Sequence, residues 1–159
     1  GVAVAGGLKK FLFDYALASK SYYLKDGFTQ HKLWDKLVFG KLRALLGGRV
    51  RVMITGSAPI SSAVKDFLQV VFCCPVYEGY GLTETCAMGT VTPDQARDAG
   101  HVGVPTTCCE VRLDDIPEMN YLSTDKPCPR GEICFRGPNV FAGYYKKPEK
   151  TAECMSEGG

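Results

Sequence analysis

Apolar residues recur at helical spacing in the first third of the chain. One stripe within residues 8–22 predicts an amphipathic helix. It consists of Leu8, Phe11, Leu12, Tyr15 and Tyr22. A second stripe within residues 31–46 predicts another helix, which the glycines at 47 and 48 would end. Gly40 lies inside this second pattern and predicts a kink or a break there.

The apolar period changes to two after residue 48. Residues 49–55, RVRVMIT, alternate and predict a strand that is largely buried beyond its start. A loop follows, and Ser61 or Ser62 would cap the next helix. The apolar face of that helix comprises Val64, Phe67, Leu68 and Val71. Because a short strand, PVYE at 75–78, comes next, the order predicts a βαβ unit and part of a largely parallel sheet with flanking helices.

The chain changes character near residue 99, beyond which prolines break it at short intervals. Short alternating strands at 109–115 and 131–137 predict a small antiparallel sheet or barrel. Residues 147–155, KPEKTAECM, predict the start of a helix. We therefore expect the α/β fold class, with an α/β portion over 1–98 and a β-rich, barrel-like portion over 99–159, both pieces of one larger domain.

Composition and charge narrow the class of protein. The 159 residues are 45% hydrophobic and 23% charged, as in an ordinary soluble globular protein. The first 51 residues are basic, but their lysines are scattered at helical spacing and indicate solvated helix faces more than a surface for lipid headgroups or phosphates. No run approaches the roughly 18 apolar residues of a membrane span. Since the chain begins with Gly1 and stops at Gly159 without a closing element, we expect a segment of a longer protein.

The cysteine pattern argues against a metal or disulfide framework. Cysteines stand at 73, 74, 86, 108, 109, 128, 134 and 154, without a CxxC pair. Adjacent cysteines rarely bridge each other, and zinc sites use paired ligands two to four residues apart. We therefore expect reduced, mostly buried thiols in an intracellular protein.

Two loops that follow predicted strands carry the chemically useful groups. The first, TGSAP at 55–59, exposes the main chain of Gly56, Ser57 and Ala58. The second, EGYGLTET at 78–85, offers Tyr80 as an aromatic face, Thr83 as a hydroxyl and Glu84 as a carboxylate. Because ligands bind beyond the carboxyl ends of sheet strands, this set fits a nucleotide with Mg²⁺. The alternative, which composition alone favours, is a plain loop in which Thr83 caps the next helix.

Five motifs resemble, in their order, those of the adenylate-forming enzymes, the superfamily of acyl-CoA synthetases, luciferases and peptide-synthetase adenylation domains. They are TGSAPIS at 55–61, EGYGLTET at 78–85, GHVGVP at 100–105, PEMNY at 117–121 and PRGEICFRGPNVFAGYYKKPEKT at 129–151. The resemblance covers roughly residues 31 to 157. It is most specific to the long-chain fatty acyl-CoA synthetases of eukaryotic type.

This resemblance implies a central fragment of the N-terminal domain of an ATP-dependent long-chain fatty acid–CoA ligase. Its reaction would join a fatty acid to coenzyme A through an acyl-adenylate, with ATP converted to AMP and with Mg²⁺ as the metal. Catalysis would consist chiefly of positioning and charge neutralisation. The family's phosphate loop, ribose-binding aspartate and catalytic lysine would lie outside these residues, so we expect the fragment alone to be inactive.

Carried over by motif, the resemblance assigns roles to residues of both loops. Thr83 would bind the α-phosphate and Glu84 would hold Mg²⁺, and these two are the candidate catalytic residues. Tyr80 would pack against adenine. Further contacts to the adenine edge and the nucleotide would come from Glu78, Gly79 and Gly81. The purine and acyl pockets would be lined by Gly56, Ser57 and Ala58.

Two other functions stay open: a ligase for aromatic or medium-chain acids of the same superfamily, and a non-catalytic binding module that keeps the nucleotide fold. The expected partners are a long-chain fatty acid, ATP and coenzyme A. No nucleic acid is expected, because the YYKK stretch at 144–147 lacks an RNA-binding signature. By resemblance, the whole protein would work at endoplasmic reticulum, peroxisomal or mitochondrial membranes, and its oligomeric state is left open.

Overall fold

The structure is a computed structural model that describes residues 7–94, 96 and 100–155. It divides into two compact units. The first holds the described residues of Gly1–Glu78 and Thr92–Gly103, and the second holds those of Gly79–Val91 and Val104–Gly159. The expected portions 1–98 and 99–159 remain a prediction about the domains of the protein.

Helices dominate the first unit. They are α1 (Leu8–Leu24), α2 (Lys32–Trp34), a π-helical turn (Asp35–Phe39), α3 (Gly40–Ala44) and α4 (Ser62–Phe72). The helices predicted within 8–22 and 31–46 are therefore confirmed. The irregularity predicted at Gly40 lies directly before it, in the π-helical turn. A Cβ atom at Gly40 would lie 3.3 Å from the Asp35 carbonyl oxygen, a close contact at the end of the π-helical turn.

The core of the first unit forms between α1, the π-helical turn and α4. Its buried members are Ala16, Phe39, Val70, Val71 and Cys73. Helix α1 buries Ala16 and Lys20, one turn apart, whereas the predicted stripe of large residues on α1 is exposed. The core face of α1 is therefore not the predicted stripe; it also carries Phe13, Leu17 and Leu24, which are partly buried and pack against the core.

A buried ion pair explains why a lysine lies in this core. Lys20 is 1% exposed, and its ammonium donates to the Asp35 carboxylate at 2.6 Å and to the Val70 carbonyl at 2.9 Å. A buried charge is tolerated when it is paired and hydrogen-bonded. Burial acts to raise the pKa of Asp35, but the hydrogen bonds from Lys20 and from the His31 amide outweigh it and hold the pKa below its ordinary value.

The predicted βαβ unit is present in the first unit. Strand β1 (Met53–Thr55) runs parallel to β2 (Val76–Tyr80), whose first three residues belong to this unit, and α4 connects the two strands. Ser61 caps α4 as predicted, because its hydroxyl accepts a hydrogen bond from the Val64 amide at 3.3 Å.

The strand predicted over residues 49–55 is shorter than expected. It begins only at Met53, and Ile54 is 58% exposed, so the predicted burial is wrong. Among the described residues β1 pairs with β2 alone and is an edge strand. An edge strand with few residues packed against its faces leaves its apolar side chains exposed.

The second unit is built from antiparallel pairs. The end of β2 pairs with β3 (Thr90–Val91), which pairs with β4 (Val104–Pro105). Farther along the chain, β5 (Glu110–Asp114) pairs with β6 (Glu132–Arg136) over five residue pairs, and α5 (Pro148–Cys154) follows. Strands β5 and β6 and the helix start at 147–155 were expected from their patterns, and they are confirmed. The two-residue strands β3 and β4 were not predicted.

The α/β class is confirmed, with two refinements to the sheet. Strand β2 pairs in parallel with β1 and antiparallel with β3, so its pairings are mixed rather than largely parallel. Within the described residues, β5 and β6 form a two-stranded ribbon and no closed barrel. Two strands of five residues are too few to close a barrel, so the small antiparallel sheet is the form present.

The expectation of mostly buried cysteines is wrong. All eight cysteines are free thiols. Cys73 and Cys74 are buried, Cys109 and Cys134 are half-buried, and the other four are exposed, because they lie on turns and at the surface of the second unit. Burial raises the pKa of the Cys73 thiol. Across the described residues, none of the helices combines the length and the apolar character that a membrane crossing requires.

Candidate functional site

The first predicted loop begins beside a buried carboxylate. Thr55, the last residue of β1, pairs with Glu78 in β2, so the loop that starts at Gly56 leaves the sheet next to Glu78. Glu78 is 4% exposed. Its Oε1 accepts a long hydrogen bond of 3.5 Å from the Ile60 amide, while its Oε2 has no hydrogen-bond partner among the described residues. An unpaired buried carboxylate oxygen is costly, so a ligand that donates a hydrogen bond here would stabilise the site.

This first loop is exposed and conformationally unusual. Gly56, Ser57 and Ala58 are all exposed, and Ser57 has a φ of +66°. A residue other than glycine rarely adopts this left-handed backbone, and such outliers cluster at ligand sites. The first unit thus holds these three predicted residues together with Glu78.

The second predicted loop is closed by its own buried threonine. After β2 the residues Thr83–Thr85 form a 3₁₀ turn. The Thr85 hydroxyl accepts a hydrogen bond from the Leu82 amide at 2.9 Å and donates to the Leu82 carbonyl at 3.1 Å. At the base of the loop, the Gly89 amide donates to the Tyr80 carbonyl at 2.9 Å. The loop therefore closes through Thr85 and the backbone.

The backbone of this loop folds back onto Gly81. A Cβ atom there would lie 2.1 Å from the carbonyl oxygen of Ala87 and 2.8 Å from the Cα atom of Met88. Cys86 and Ala87 have φ values of +51° and +86°, which turn the chain back at this point. Packing of the loop backbone therefore explains why residue 81 is a glycine, and its contact with a nucleotide stays a prediction.

The side chains of Thr83 and Glu84 are left at the surface of the loop. Thr83 is exposed, Glu84 is half-buried, and the Thr83 hydroxyl makes no hydrogen bond within the described part of the chain. The alternative in which Thr83 caps a helix is wrong, because Leu82 is the cap of the 3₁₀ turn and Thr83 is its first residue. A hydroxyl and a carboxylate thus stand next to each other on a closed turn.

Within the described part of the chain, the carboxylate of Glu84 has one side-chain partner. Its Oε1 accepts a hydrogen bond from the hydroxyl of Tyr144. This hydrogen bond lowers the pKa of Glu84 and raises the pKa of Tyr144 to about 12. At neutral pH the carboxylate is therefore ionised and the phenol protonated, and Oε2 lies outside this hydrogen bond.

The segment that follows β6 holds the same loop by its backbone. The Phe141 amide donates to the Glu84 carbonyl at 2.8 Å. The Asn139 side-chain amide donates to the carbonyls of Thr85 and Met88 at 3.4 and 3.1 Å. These bonds join the loop to a distant part of the chain and fix its position within the second unit.

Tyr80 lies at the start of the loop with one ring face supported. Its ring stacks on Phe135 of β6, with centroids 6.2 Å apart and planes 25° from parallel. The Phe135 ring also fills the space beside Gly89, where a Cβ atom would come within 2.2 Å of it. Gly79, which precedes Tyr80, has the Thr90 carbonyl 3.0 Å from its own Cβ position.

The donor set around Glu84 fits a magnesium ion that also binds phosphate. Among the described residues there is no group of three or more His, Cys, Asp or Glu side chains that could hold a metal by itself. Mg²⁺ is commonly bound by one or two carboxylates together with substrate phosphates and waters. The ionised Glu84 carboxylate, with Oε2 outside the bond to Tyr144, matches that mode.

The structure groups the predicted residues by unit. In the first unit it brings Gly56, Ser57 and Ala58 together with Glu78. In the second it brings Gly79, Tyr80 and Gly81 together with Thr83 and Glu84. Sequence reasoning missed Tyr144 and Asn139 as partners of this loop. Both lie in the motif at 129–151, which is the one signal that would have drawn attention to them.

Comparison with known proteins gives a family match over most of the chain. A family described as AMP-binding enzyme matches residues 12–145. Fatty acyl-CoA synthetase A of Dictyostelium discoideum is 53% identical over 152 residues, which cover 96% of this chain and 23% of that protein. Long chain acyl-CoA synthetase 7, peroxisomal, of Arabidopsis thaliana is 50% identical over 158 residues, covering 99% of this chain and 23% of that protein.

A solved structure matches the fold. The A domain of a carboxylic acid reductase from Segniliparus rugosus, determined with AMP and a co-purified carboxylic acid, aligns with a TM-score of 0.58 and 34% identity. The match covers 95% of this chain and 23% of that one. The chain thus spans less than a quarter of the length of the curated relatives it matches.

Proposed function

The chain belongs to the AMP-binding enzyme family, and from this premise we propose that the protein containing it is an ATP-dependent long-chain fatty acid–CoA ligase. In the proposed reaction a fatty carboxylate attacks the α-phosphorus of ATP, which releases pyrophosphate and forms an acyl-adenylate. The thiolate of coenzyme A then attacks the acyl carbon, forming the thioester and releasing AMP. Because the chain spans about 23% of its relatives, we expect it not to catalyse this reaction alone.

The observation that carries this proposal is the closed turn that leaves Thr83 and Glu84 at its surface. We assign the Thr83 hydroxyl to the α-phosphate as a hydrogen-bond donor. We assign the Glu84 carboxylate to Mg²⁺, which when bound would neutralise charge on the phosphate oxygens. A fixed donor and a fixed anion need no rearrangement as charge develops, and such preorganisation is a major source of catalysis.

The remaining nucleotide contacts are assigned within each unit by itself. In the first unit, the unpaired Oε2 of Glu78 would accept a hydrogen bond from the exocyclic amino group of adenine. The exposed main chain of Gly56, Ser57 and Ala58 would line the purine and acyl pockets. In the second unit, the ring of Tyr80, which stacks on Phe135, would pack against the base. Gly79 and Gly81 would allow close approach of the backbone.

Substrate and compartment follow from the relatives by analogy. The names of the two relatives above support a fatty acid and coenzyme A as substrates, and the Arabidopsis name adds a long chain and the peroxisome. We propose an intracellular enzyme, with the peroxisome as one compartment and a membrane surface as its place of work. The carboxylic acid reductase from Segniliparus rugosus favours a second candidate, an enzyme that adenylates another carboxylic acid.

A substitution at Glu84 tests the metal role in the intact protein. Glu84→Gln keeps the shape of the side chain and removes its charge. Exchange of labelled pyrophosphate into ATP, driven by palmitate, measures adenylate formation directly. We expect the exchange rate to fall and its Mg²⁺ requirement to rise, whereas Glu118→Gln, an exposed control on the 3₁₀ turn Pro117–Met119, leaves both unchanged. An unchanged Mg²⁺ requirement in Glu84→Gln would remove the metal role.

A substitution at Thr83 tests the phosphate contact. Thr83→Val replaces an exposed hydroxyl by a methyl group and leaves the closure by Thr85 intact. Calorimetric titration with ATP is expected to show weaker binding by roughly threefold to tenfold, the value of one hydrogen bond. Wild-type affinity would mean that Thr83 does not contact the nucleotide. A screen of acids of different chain length separates the long-chain ligase from the second candidate.

A further inference from the structure

We propose that Tyr144 is a positioning residue for the Glu84 carboxylate, and that the segment from Asn139 to Tyr144 clamps the loop that carries Glu84. The inference rests on the proposed function, because it concerns how Glu84 meets the metal. Its basis is a set of contacts within the second unit. The segment contacts the loop at its backbone and also at the one side chain assigned to Mg²⁺.

The backbone contacts fix where the loop lies. The Phe141 amide donates to the carbonyl of Glu84 itself, at 2.8 Å. One residue farther along the loop, the Thr85 carbonyl accepts from the Asn139 side chain, as does the Met88 carbonyl. The carbonyl of the metal-binding residue and those of its neighbours are therefore held by one short segment.

Tyr144 is in turn held rigidly. Its ring packs edge-on against the Phe141 ring, with centroids 4.9 Å apart and planes at 89°. Its amide donates to the Thr151 hydroxyl of α5 at 2.9 Å. Gly143 precedes it with a φ of +136°, and a Cβ atom there would lie 2.7 Å from the Thr151 side chain. These contacts place the phenol hydroxyl at Oε1 of Glu84.

The chemistry of the phenol suits an orienting role. A carboxylate rotates freely about its last bond unless one of its oxygens is held. A hydrogen bond to the oxygen that does not bind the metal fixes the orientation of the ligand and strengthens metal binding. The Tyr144 hydroxyl holds Oε1 while carrying no charge. A lysine or an arginine at the same place would offset the negative charge that attracts a cation, whereas a phenol leaves it for the metal at Oε2.

The test compares two neighbouring tyrosines in the intact protein. Tyr144→Phe removes the hydroxyl and keeps the ring on Phe141. Tyr145→Phe is the matched control, because Tyr145 is 84% exposed and its ring contacts the Lys146 ammonium, 5.3 Å from its centroid. Pyrophosphate exchange gives the apparent Mg²⁺ requirement. Binding of Mn²⁺ with a non-hydrolysable ATP analogue, followed by electron paramagnetic resonance, gives cation affinity without turnover.

Loss of the hydroxyl is expected to weaken cation binding in both assays by roughly threefold to tenfold, the value of one hydrogen bond. The melting temperature is expected to change little, because the packing of the ring is kept. Tyr145→Phe is expected to match the wild type. If Tyr144→Phe binds Mn²⁺ as the wild type does, the positioning role is wrong, whatever happens to the melting temperature.

A double substitution distinguishes action through Glu84 from a general structural effect. In the Glu84→Gln background, Tyr144→Phe is expected to have little further effect on cation affinity, because the group it orients is already gone. Equal and additive losses in the two backgrounds would overturn the inference. If Glu84→Gln alone leaves cation affinity unchanged, the proposed metal role of Glu84 fails and the inference fails with it. If only Tyr144→Phe is silent, the proposed function stands and the inference fails.

Discussion

Gly81→Ala tests whether the shape of the loop, and not only its functional groups, supports adenylate formation. The added methyl carbon would lie 2.1 Å from the carbonyl oxygen of Ala87, 2.6 Å from its carbonyl carbon and 2.8 Å from the Cα atom of Met88. All three atoms are backbone, so no side chain can rotate away. Real Cβ contacts are essentially never below 3.0 Å, so the two backbone segments must separate by about 0.9 Å or more.

The loop is poorly able to make this shift. The Ala87 amide donates to the Leu82 carbonyl at 3.0 Å, and Asn139 holds the Met88 carbonyl. Overpacking of this kind costs about 1–3 kcal/mol. Because the shift moves the turn that carries Thr83, a displacement near 1 Å is expected to lower adenylate formation by about 100-fold.

The assay is palmitate-driven pyrophosphate exchange by the intact protein, with thermal unfolding measured alongside. Gly48→Ala is the control, because Gly48 has a φ of +71° and, among the described residues other than its chain neighbours, no atom lies within 4 Å of its Cβ position. That control stores backbone strain of about 1 kcal/mol without displacing the loop, so its exchange rate is expected to stay near wild type. Wild-type exchange by Gly81→Ala would refute the link between loop shape and catalysis.

Asp35→Asn leaves Lys20 buried without its anionic partner and is expected to destabilise the first unit by about 3 kcal/mol in denaturant unfolding. Since the pKa of Asp35 in the fold lies below its ordinary 3.8, this stabilisation is present above pH 3.8 and is lost as the pH falls through the lowered value. If the wild type and the variant unfold along the same curve in an acid titration, this prediction is wrong. Thr85→Val removes the hydroxyl that closes the loop, and a loss of about 1–2 kcal/mol is expected in the same unfolding assay. With a thiol reagent under native conditions, the exposed cysteines are expected to react before Cys73 and Cys74, whose pKa values burial raises; early labelling of that pair, read by mass spectrometry, would contradict their burial.

The elements whose pattern repeats within about ten residues are predictable from sequence. In helices α1 and α4 the apolar residues recur at the helical period, and β2 is a short apolar run bounded by turn-forming residues. A serine cap at 61 or 62 follows from residue type and position, and the structure has it at Ser61. These features depend on neighbours along the chain, which is why a single sequence predicts them.

The side of a helix that is buried depends instead on distant partners. Lys20 is buried because Asp35 and the Val70 carbonyl satisfy its charge and its donors, and neither partner lies within ten residues of it. A stripe of large apolar residues therefore pointed to the wrong face of α1. The length of β1 likewise depends on how many strands flank it, which the local alternation at 49–55 does not encode.

Some features of the candidate site are predictable from the local sequence, and others depend on the fold. Residue type and motif single out Thr83 and Glu84, because a hydroxyl and a carboxylate in a glycine-rich loop are locally visible. The contact between Glu84 and Tyr144 joins positions 60 residues apart and needs the fold to be seen. The unpaired oxygen of Glu78 is also invisible in sequence, because it is a property of burial.

The most direct test of the central claim is a crystal structure of the intact protein with Mg²⁺ and a non-hydrolysable ATP analogue. We expect an oxygen of Glu84 at about 2.0–2.1 Å from the metal, the usual Mg²⁺ distance. We also expect the Thr83 hydroxyl within about 3 Å of an α-phosphate oxygen. A nucleotide bound elsewhere, or a metal that neither Glu84 nor a water on Glu84 contacts, would contradict the account.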